Sequence, residues 1–161
     1  MSTNSDGYVI DTCSLIKLRE DYPEDVFPSV WSFVSDLVDS RVLESIELVY
    51  DELNNQDDEV KAWADEHKEM FLPLNTEIQE EAVAILEEFP VKFVDLKKRK
   101  SGADPFIVAA AGVLDVVVVT EEKKTGNRSG EGKVKIPDVC AHYDIECIPL
   151  VELLRREGLS L

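Results

Sequence analysis

Apolar residues follow two rhythms along this chain, one of short unbroken runs and one of helical stripes. Tyr8-Val9-Ile10 is a run that stops on Asp11, followed by Thr12-Cys13-Ser14 and then Leu15-Ile16. A run closed by a turn signal predicts a buried strand passing into a short helix to Arg19, with Ser14 or Thr12 available as its cap. Pro23 and Pro28 break the chain. Val30, Phe33, Val34, Leu37 and Val38 then recur at helical spacing, the stripe of an amphipathic helix. Over residues 45–55, Ile46, Val49, Tyr50 and Leu53 read as helical again, stopped by Asn54-Asn55. Residues 57–70 open with acids, which suit a helix N-terminus, and run on through Val60, Trp63, Ala64 and His67. Phe71-Leu72-Pro73-Leu74 is too short for a helix and reads as an edge strand or connector. Asn75-Thr76 caps a helix through Ile78, Ala82, Val83, Leu86 and Phe89, ending at Pro90.

After a charged connector over residues 92–101, residues 103–114 form a compact apolar helix with Asp104 and Pro105 at its start. Asp115-Val116-Val117-Val118-Val119-Thr120 is the clearest buried strand, its valines suiting a parallel sheet covered on both faces. Residues 125–135 are a polar loop with Gly126, Gly130 and Gly132. Pro137 starts a short helix, residues 145–148 make a final strand, and residues 151–156 a closing helix. Strands at both ends with helices between predict an α/β three-layer α/β/α sandwich, with a mainly parallel central sheet, as a single domain over residues 1–161.

Composition narrows the class. A chain of 161 residues with 44% hydrophobic content can bury a core without disulfides. No apolar stretch reaches the roughly 18–20 residues of a membrane helix. Residues 1–6 carry neither a positive nor an apolar region, so no signal peptide is expected. Cys13, Cys140 and Cys147 lack C-x-x-C spacing, which argues against a disulfide framework or a zinc site. A cytoplasmic protein with reduced thiols is expected. The net charge of −17 opposes phosphate at long range, yet ten of the 17 Lys and Arg fall between Lys92 and Lys135, including Lys97-Lys98-Arg99-Lys100. Clustered cations of that kind suit a phosphate backbone.

Acids stand where elements terminate: Asp11 after the first strand, Glu52 in the helix before Leu53, Asp104 at a helix start, and Glu121-Glu122 after the valine strand. If they converge, like charges raise one another's pKa, and a hard divalent cation relieves the repulsion. Mg²⁺ or Mn²⁺ held by such acids can activate water against a phosphodiester. The physical reading is metal-dependent phosphoryl chemistry.

The same residues resemble a known family. Val9-Ile10-Asp11-Thr12-Cys13-Ser14-Leu15 resembles the opening of PIN domains, and Val49-Tyr50-Asp51-Glu52-Leu53 is similar to their second motif. Gly102-Ala103-Asp104-Pro105 with its alanine-rich helix resembles the third, and Val118-Val119-Thr120-Glu121-Glu122 the fourth. The motifs keep their order from Tyr8 to about Leu154. The resemblance implies a PIN-like fold and an Mg²⁺- or Mn²⁺-dependent ribonuclease, in many members the toxin of a toxin–antitoxin pair inhibited by a small partner protein. It implies Asp11, Glu52, Asp104 and Glu122 as catalytic, metal-binding acids, with Ser14 and Thr120 in support and a homodimer as a plausible assembly. This chain departs from the family in having Glu121-Glu122 where Asp is usual, so either Glu could serve. Asp51 beside Glu52 leaves the same choice. The alternative function is a PIN-like protein-binding module with weak or no nuclease activity.

Other acid-based folds fit less well. A haloacid-dehalogenase-type phosphatase needs a second Asp where Cys13 stands, and a response-regulator receiver needs an early acidic pair. Cys13 is expected as a small residue in a buried turn, and Trp31 and Trp63 as packing residues.

Overall fold

The computed structural model describes residues 7–56, 58–89, 102–128 and 132–161. Its centre is a five-stranded, all-parallel sheet in the order β3-β2-β1-β4-β5. The strands are β1 (Tyr8–Ile10), β2 (Leu43–Ile46), β3 (Phe71–Leu72), β4 (Val117–Val119) and β5 (Cys147–Ile148). The helices are α1 (Thr12–Asp21), α2 (Pro28–Asp39), α3 (Glu47–Leu53), α4 (Asp58–Asp65), α5 (Thr76–Glu88), α6 (Asp104–Leu114), α7 (Ile136–His142) and α8 (Leu150–Arg156). Tyr8 is in register with Leu43 on one side and Val117 on the other, so β1 is the central strand. Its three residues are buried, as are the three valines of β4.

Topology explains the layers. The chain steps from β1 through β2 to β3 in one direction, then jumps back across β1 to β4 and β5. Right-handed crossovers taken in opposite directions place their helices on opposite faces. Accordingly α6 packs on β1, β2 and β4 and against α5 and α7, while α1 packs against α3, α4 and α8. Helix α6 is buried at Ile107, Val108, Ala109, Ala110 and Ala111, and those alanines let it lie close to its neighbours. On the other face, Trp31 of α2 and Trp63 of α4 meet edge-to-face at 5.7 Å. Each indole donates, to Tyr22 O at 2.6 Å and Ser35 Oγ at 3.2 Å respectively. The sandwich expected from the sequence is the architecture observed.

Several local expectations are corrected. The helix expected over 45–55 begins only at Glu47, and Leu43–Ile46 is a strand instead. Ser45 disguised it: this polar residue is fully buried, its Oγ donating to Ile10 O at 2.7 Å. Helix α4 ends at Asp65, followed by a separate 3-10 turn over Lys68–Met70. In α5 the buried stripe is Ile78, Ala82 and Ile85, followed by Phe89 just past its end, whereas Val83 is exposed. Asn75 caps α5 as expected, its Oδ1 accepting from Ile78 N at 2.9 Å. The cap of α1 is neither Ser14 nor Thr12 but Asp11. The basic run Lys97–Lys100 lies outside the described residues.

Candidate functional site

The sheet order reverses between β1 and β4, and in open parallel sheets ligands bind at such a switch point, beyond the carboxyl ends of the strands. Asp11 and Thr120 are the residues that follow those two strands. Asp11 N donates to Val119 O at 3.1 Å, which ties the two strand ends together. The Asp11 carboxylate is buried: Oδ1 accepts from Ser14 N at 2.9 Å, and Oδ2 accepts from Thr120 Oγ1 at 2.5 Å. Ser14 Oγ donates to Val119 O at 3.3 Å. Burial pushes the Asp11 carboxyl up to about 6, despite the opposing hydrogen bonds from Thr120 and Ser14, and the negative charge of Glu122 adds to the rise.

Glu52 reaches the crevice from α3. Its Oε1 accepts from Thr12 Oγ1 at 2.5 Å, and its Oε2 accepts from Ala103 N at 3.3 Å, joining the starts of α1 and α6. Burial raises its carboxyl, with those two bonds opposing. Asp51, its neighbour, is exposed.

Asp104 is the first residue of α6 and half-buried, and among the described residues it accepts no hydrogen bond. The positive end of a helix favours an ionised acid there. Desolvation outweighs it, helped by the charges of Glu122, Asp11 and Glu52, and the carboxyl is pushed up to about 9, with Lys135 alone easing it. Asp104 is therefore the electrostatic meeting point of the four acids.

The two candidates after β4 part company. Glu121 Oε2 accepts from Leu150 N at 2.7 Å and so closes the start of α8. Glu122 is the one whose charge bears on Asp11 and Asp104. Its N donates to Thr120 Oγ1 at 3.1 Å, and its Oε1 accepts from Ile136 N at 3.0 Å.

Cys13, expected in a buried turn, is instead exposed on the first turn of α1. Its thiol is pushed up to about 12 by desolvation and by Asp11, Glu122, Asp104 and Glu52, which leaves it a poor nucleophile. The histidines are engaged elsewhere. His67 Nδ1 lies 2.9 Å from Trp63 O with its ring stacked on that indole, and His142 Nε2 lies 3.8 Å from Glu88. The Cys140 thiol is raised by a contact with Cys147 and by burial.

A further acid was not anticipated. Asp138, in the first turn of α7, is buried and accepts from Thr125 N, Gly126 N and Lys135 N at 2.9 Å each, and from Thr125 Oγ1 at 2.7 Å. Desolvation works against its charge, but these bonds prevail and hold the carboxyl below its ordinary value. The sequence carries it only as an acid beside Pro137, the residue read as starting the short helix.

As a donor set the crevice offers hard oxygen ligands, the chemistry Mg²⁺ and Mn²⁺ select. As placed, no three Asp, Glu, His or Cys side chains among the described residues come near enough to one point to share an ion. Among the described residues the Asp104 carboxyl accepts no hydrogen bond, unlike those of Asp11, Glu52 and Glu122. Beyond Glu52 the crevice continues into a groove lined by Leu48, Asn55, Gln56, Leu74, Ala103 and Phe106. No helix among the described residues is long and apolar enough to cross a membrane.

Comparison with curated proteins found no match. A family profile described as "Domain of unknown function (DUF4411)" matches residues 8–161.

Proposed function

We propose that this chain, which belongs to the DUF4411 family, is an Mg²⁺- or Mn²⁺-dependent ribonuclease that hydrolyses phosphodiester bonds of single-stranded RNA. The observation that supports this most is the meeting of Asp11, Glu52, Asp104 and Glu122 in one electrostatic cluster at the switch point. These acids would hold the cation. Once bound, it would lower the pKa of a water and neutralise charge on the phosphoryl group. Ser14 and Thr120 fix the orientation of Asp11, and Thr12 with the Ala103 amide fixes Glu52. Asp104 keeps its proton at neutral pH and must release it for a cation to be held, so binding is coupled to proton release.

The deciding experiment is calorimetry with Mn²⁺ at neutral pH, paired with cleavage of single-stranded RNA. Binding with proton release, and cleavage lost in Asp11→Asn and Asp104→Asn, is the expected result. Cleavage that survives both substitutions would place the activity elsewhere. The resemblance to PIN domains extends the proposal to the toxin of a toxin–antitoxin pair, acting as a homodimer in the cytoplasm.

One observation favours a second reading. Both oxygens of Asp11 and both of Glu52 already accept hydrogen bonds, and the chain carries −17. A PIN-like module that presents this acidic crevice to a basic segment of a partner protein needs nothing more. Failure to bind Mn²⁺ at neutral pH would favour it.

A further inference from the structure

Among the cations near the crevice, Lys135 holds a distinct position. It immediately precedes α7 and is half-buried, whereas Lys123, Lys124 and Lys133 in the same connection are exposed. Its backbone is pinned on both sides of its side chain. Lys135 N donates to Asp138 Oδ2 at 2.9 Å, and the next amide, Ile136 N, donates to Glu122 Oε1 at 3.0 Å. The residue is therefore fixed in place by one of the cluster acids and by the buried Asp138.

Cations on the outer helices pair in direct contact: Lys17 with Asp21, Lys61 with Asp65, Arg156 with Glu146 and Glu152. Lys135 makes no such contact among the described residues, although its charge is felt by Asp104. The amide that follows Lys135 is bound by Glu122, so this cation is carried beside a cluster acid while its ammonium makes no carboxylate contact among the described residues. A surplus of acids with one such cation beside it suits a phosphodiester with its metal ion. The acids take the cation side, and the ammonium takes a non-bridging oxygen.

We propose that Lys135 is a substrate-binding residue whose ammonium donates to a non-bridging oxygen of the RNA phosphate seated at the acid crevice. This rests on the ribonuclease reading above. No proton is transferred and no bond is broken by Lys135. Its contribution is a charge-assisted hydrogen bond, which is strengthened where water is excluded.

The test is binding of a single-stranded 2′-O-methyl phosphorothioate oligonucleotide of about ten nucleotides, with Mn²⁺ present. It is read for wild type, Lys135→Met, Lys135→Gln and Lys135→Arg, with Mn²⁺ affinity measured separately by calorimetry. Loss of one charge-assisted contact should weaken oligonucleotide binding about tenfold in Lys135→Met and Lys135→Gln. It should also lower the salt slope by about 0.7. Lys135→Arg should stay within about threefold of wild type, and Mn²⁺ affinity should hold within about threefold in all the variants, since the ammonium is not a metal ligand. Lys61→Met, which removes a half-buried cation paired with Asp65 on α4, should change oligonucleotide binding less than about twofold. Unchanged melting temperatures for the Lys135 variants exclude a folding cause. Oligonucleotide binding and salt slope unchanged in Lys135→Met, in a wild type that binds Mn²⁺ and cleaves RNA, would overturn the role of Lys135 alone. A drop in Lys61→Met equal to that in Lys135→Met would reduce the effect to net charge and overturn it as well. A wild type that binds neither Mn²⁺ nor oligonucleotide would overturn the ribonuclease reading and this inference together.

Discussion

Two acids stand in the first turns of α6 and α7, Asp104 and Asp138, and the protein treats them in opposite ways. Asp138 is surrounded by donors from Thr125, Gly126 and Lys135, and its carboxyl is held below its ordinary value. Asp104 has no donor among the described residues and three acids for company, and its carboxyl is driven up to about 9. The first is an acid spent on architecture, with its lone pairs satisfied by the backbone it organises. The second is half-buried with no protein donor among the described residues and with like charges around it, at a cost to the fold, which is how groups poised for a ligand are often kept.

That contrast can be broken by substitution. The largest expected effect is on chemistry: Asp104→Asn should lower Mn²⁺-dependent RNA cleavage by at least about 100-fold, read as initial rates on a labelled oligonucleotide. Asp138→Ala should instead act on stability, lowering it by about 3 kcal/mol in urea denaturation because three amides and a hydroxyl lose their acceptor together. Asp104→Asn in the same urea experiment should be more stable than wild type without metal, by about 2 kcal/mol. If Asp138→Ala is the neutral change and Asp104→Asn the destabilising one, the division of roles is reversed.

A pH series sharpens the comparison. A folded-state carboxyl raised from 3.8 to about 9, as for Asp104, binds its proton more tightly folded than unfolded. Its contribution is therefore best below the unfolded value and is lost as pH rises through the interval from 3.8 to about 9. Asp11, raised from 3.8 to about 6, acts with the same sign over a narrower interval. Asp138, lowered, has the opposite sign: its contribution is present above its unfolded value and disappears on acidification. Melting temperature in the presence of a chelator should fall between about pH 6 and pH 9, and Asp104→Asn should flatten that limb. The smallest effect expected is for Thr120→Val, which removes the donor to Asp11 and the acceptor for Glu122 N. It should cost about 1–2 kcal/mol in denaturation and move the acid limb of the cleavage profile toward higher pH.

The sheet was largely legible in the sequence because β1 and β4 are unbroken apolar runs ending on polar residues. Strand β2 was not, since Glu44 and Ser45 interrupt it and Ile46 shares its spacing with the helix that follows. Ser45 is buried by a hydrogen bond to a neighbouring strand, a tertiary fact that local pattern does not encode. Of the acids, Asp11 and Asp104 stand out in sequence because each opens a helix straight after an apolar or small-residue boundary. The choice between Glu121 and Glu122 was invisible, because it depends on the distant amides of Leu150 and Ile136. In sequence Lys135 is one of ten clustered cations, and what distinguishes it is where Asp138 and Glu122 anchor its backbone.

The double anchoring of the chain around Lys135 also bears on how the family can vary. Glu122 grips Ile136, and Asp138 grips Thr125 and Gly126, so the connection between β4 and α7 is closed at its base like a drawstring. Residues added or removed between Gly126 and Lys135 would change the length of this connection while both anchoring acids keep their partners. Each doubling of such a segment costs only about 0.6 kcal/mol in closure entropy. The span between the two anchors is thus a place where length and charge can change while the anchored acids stay fixed.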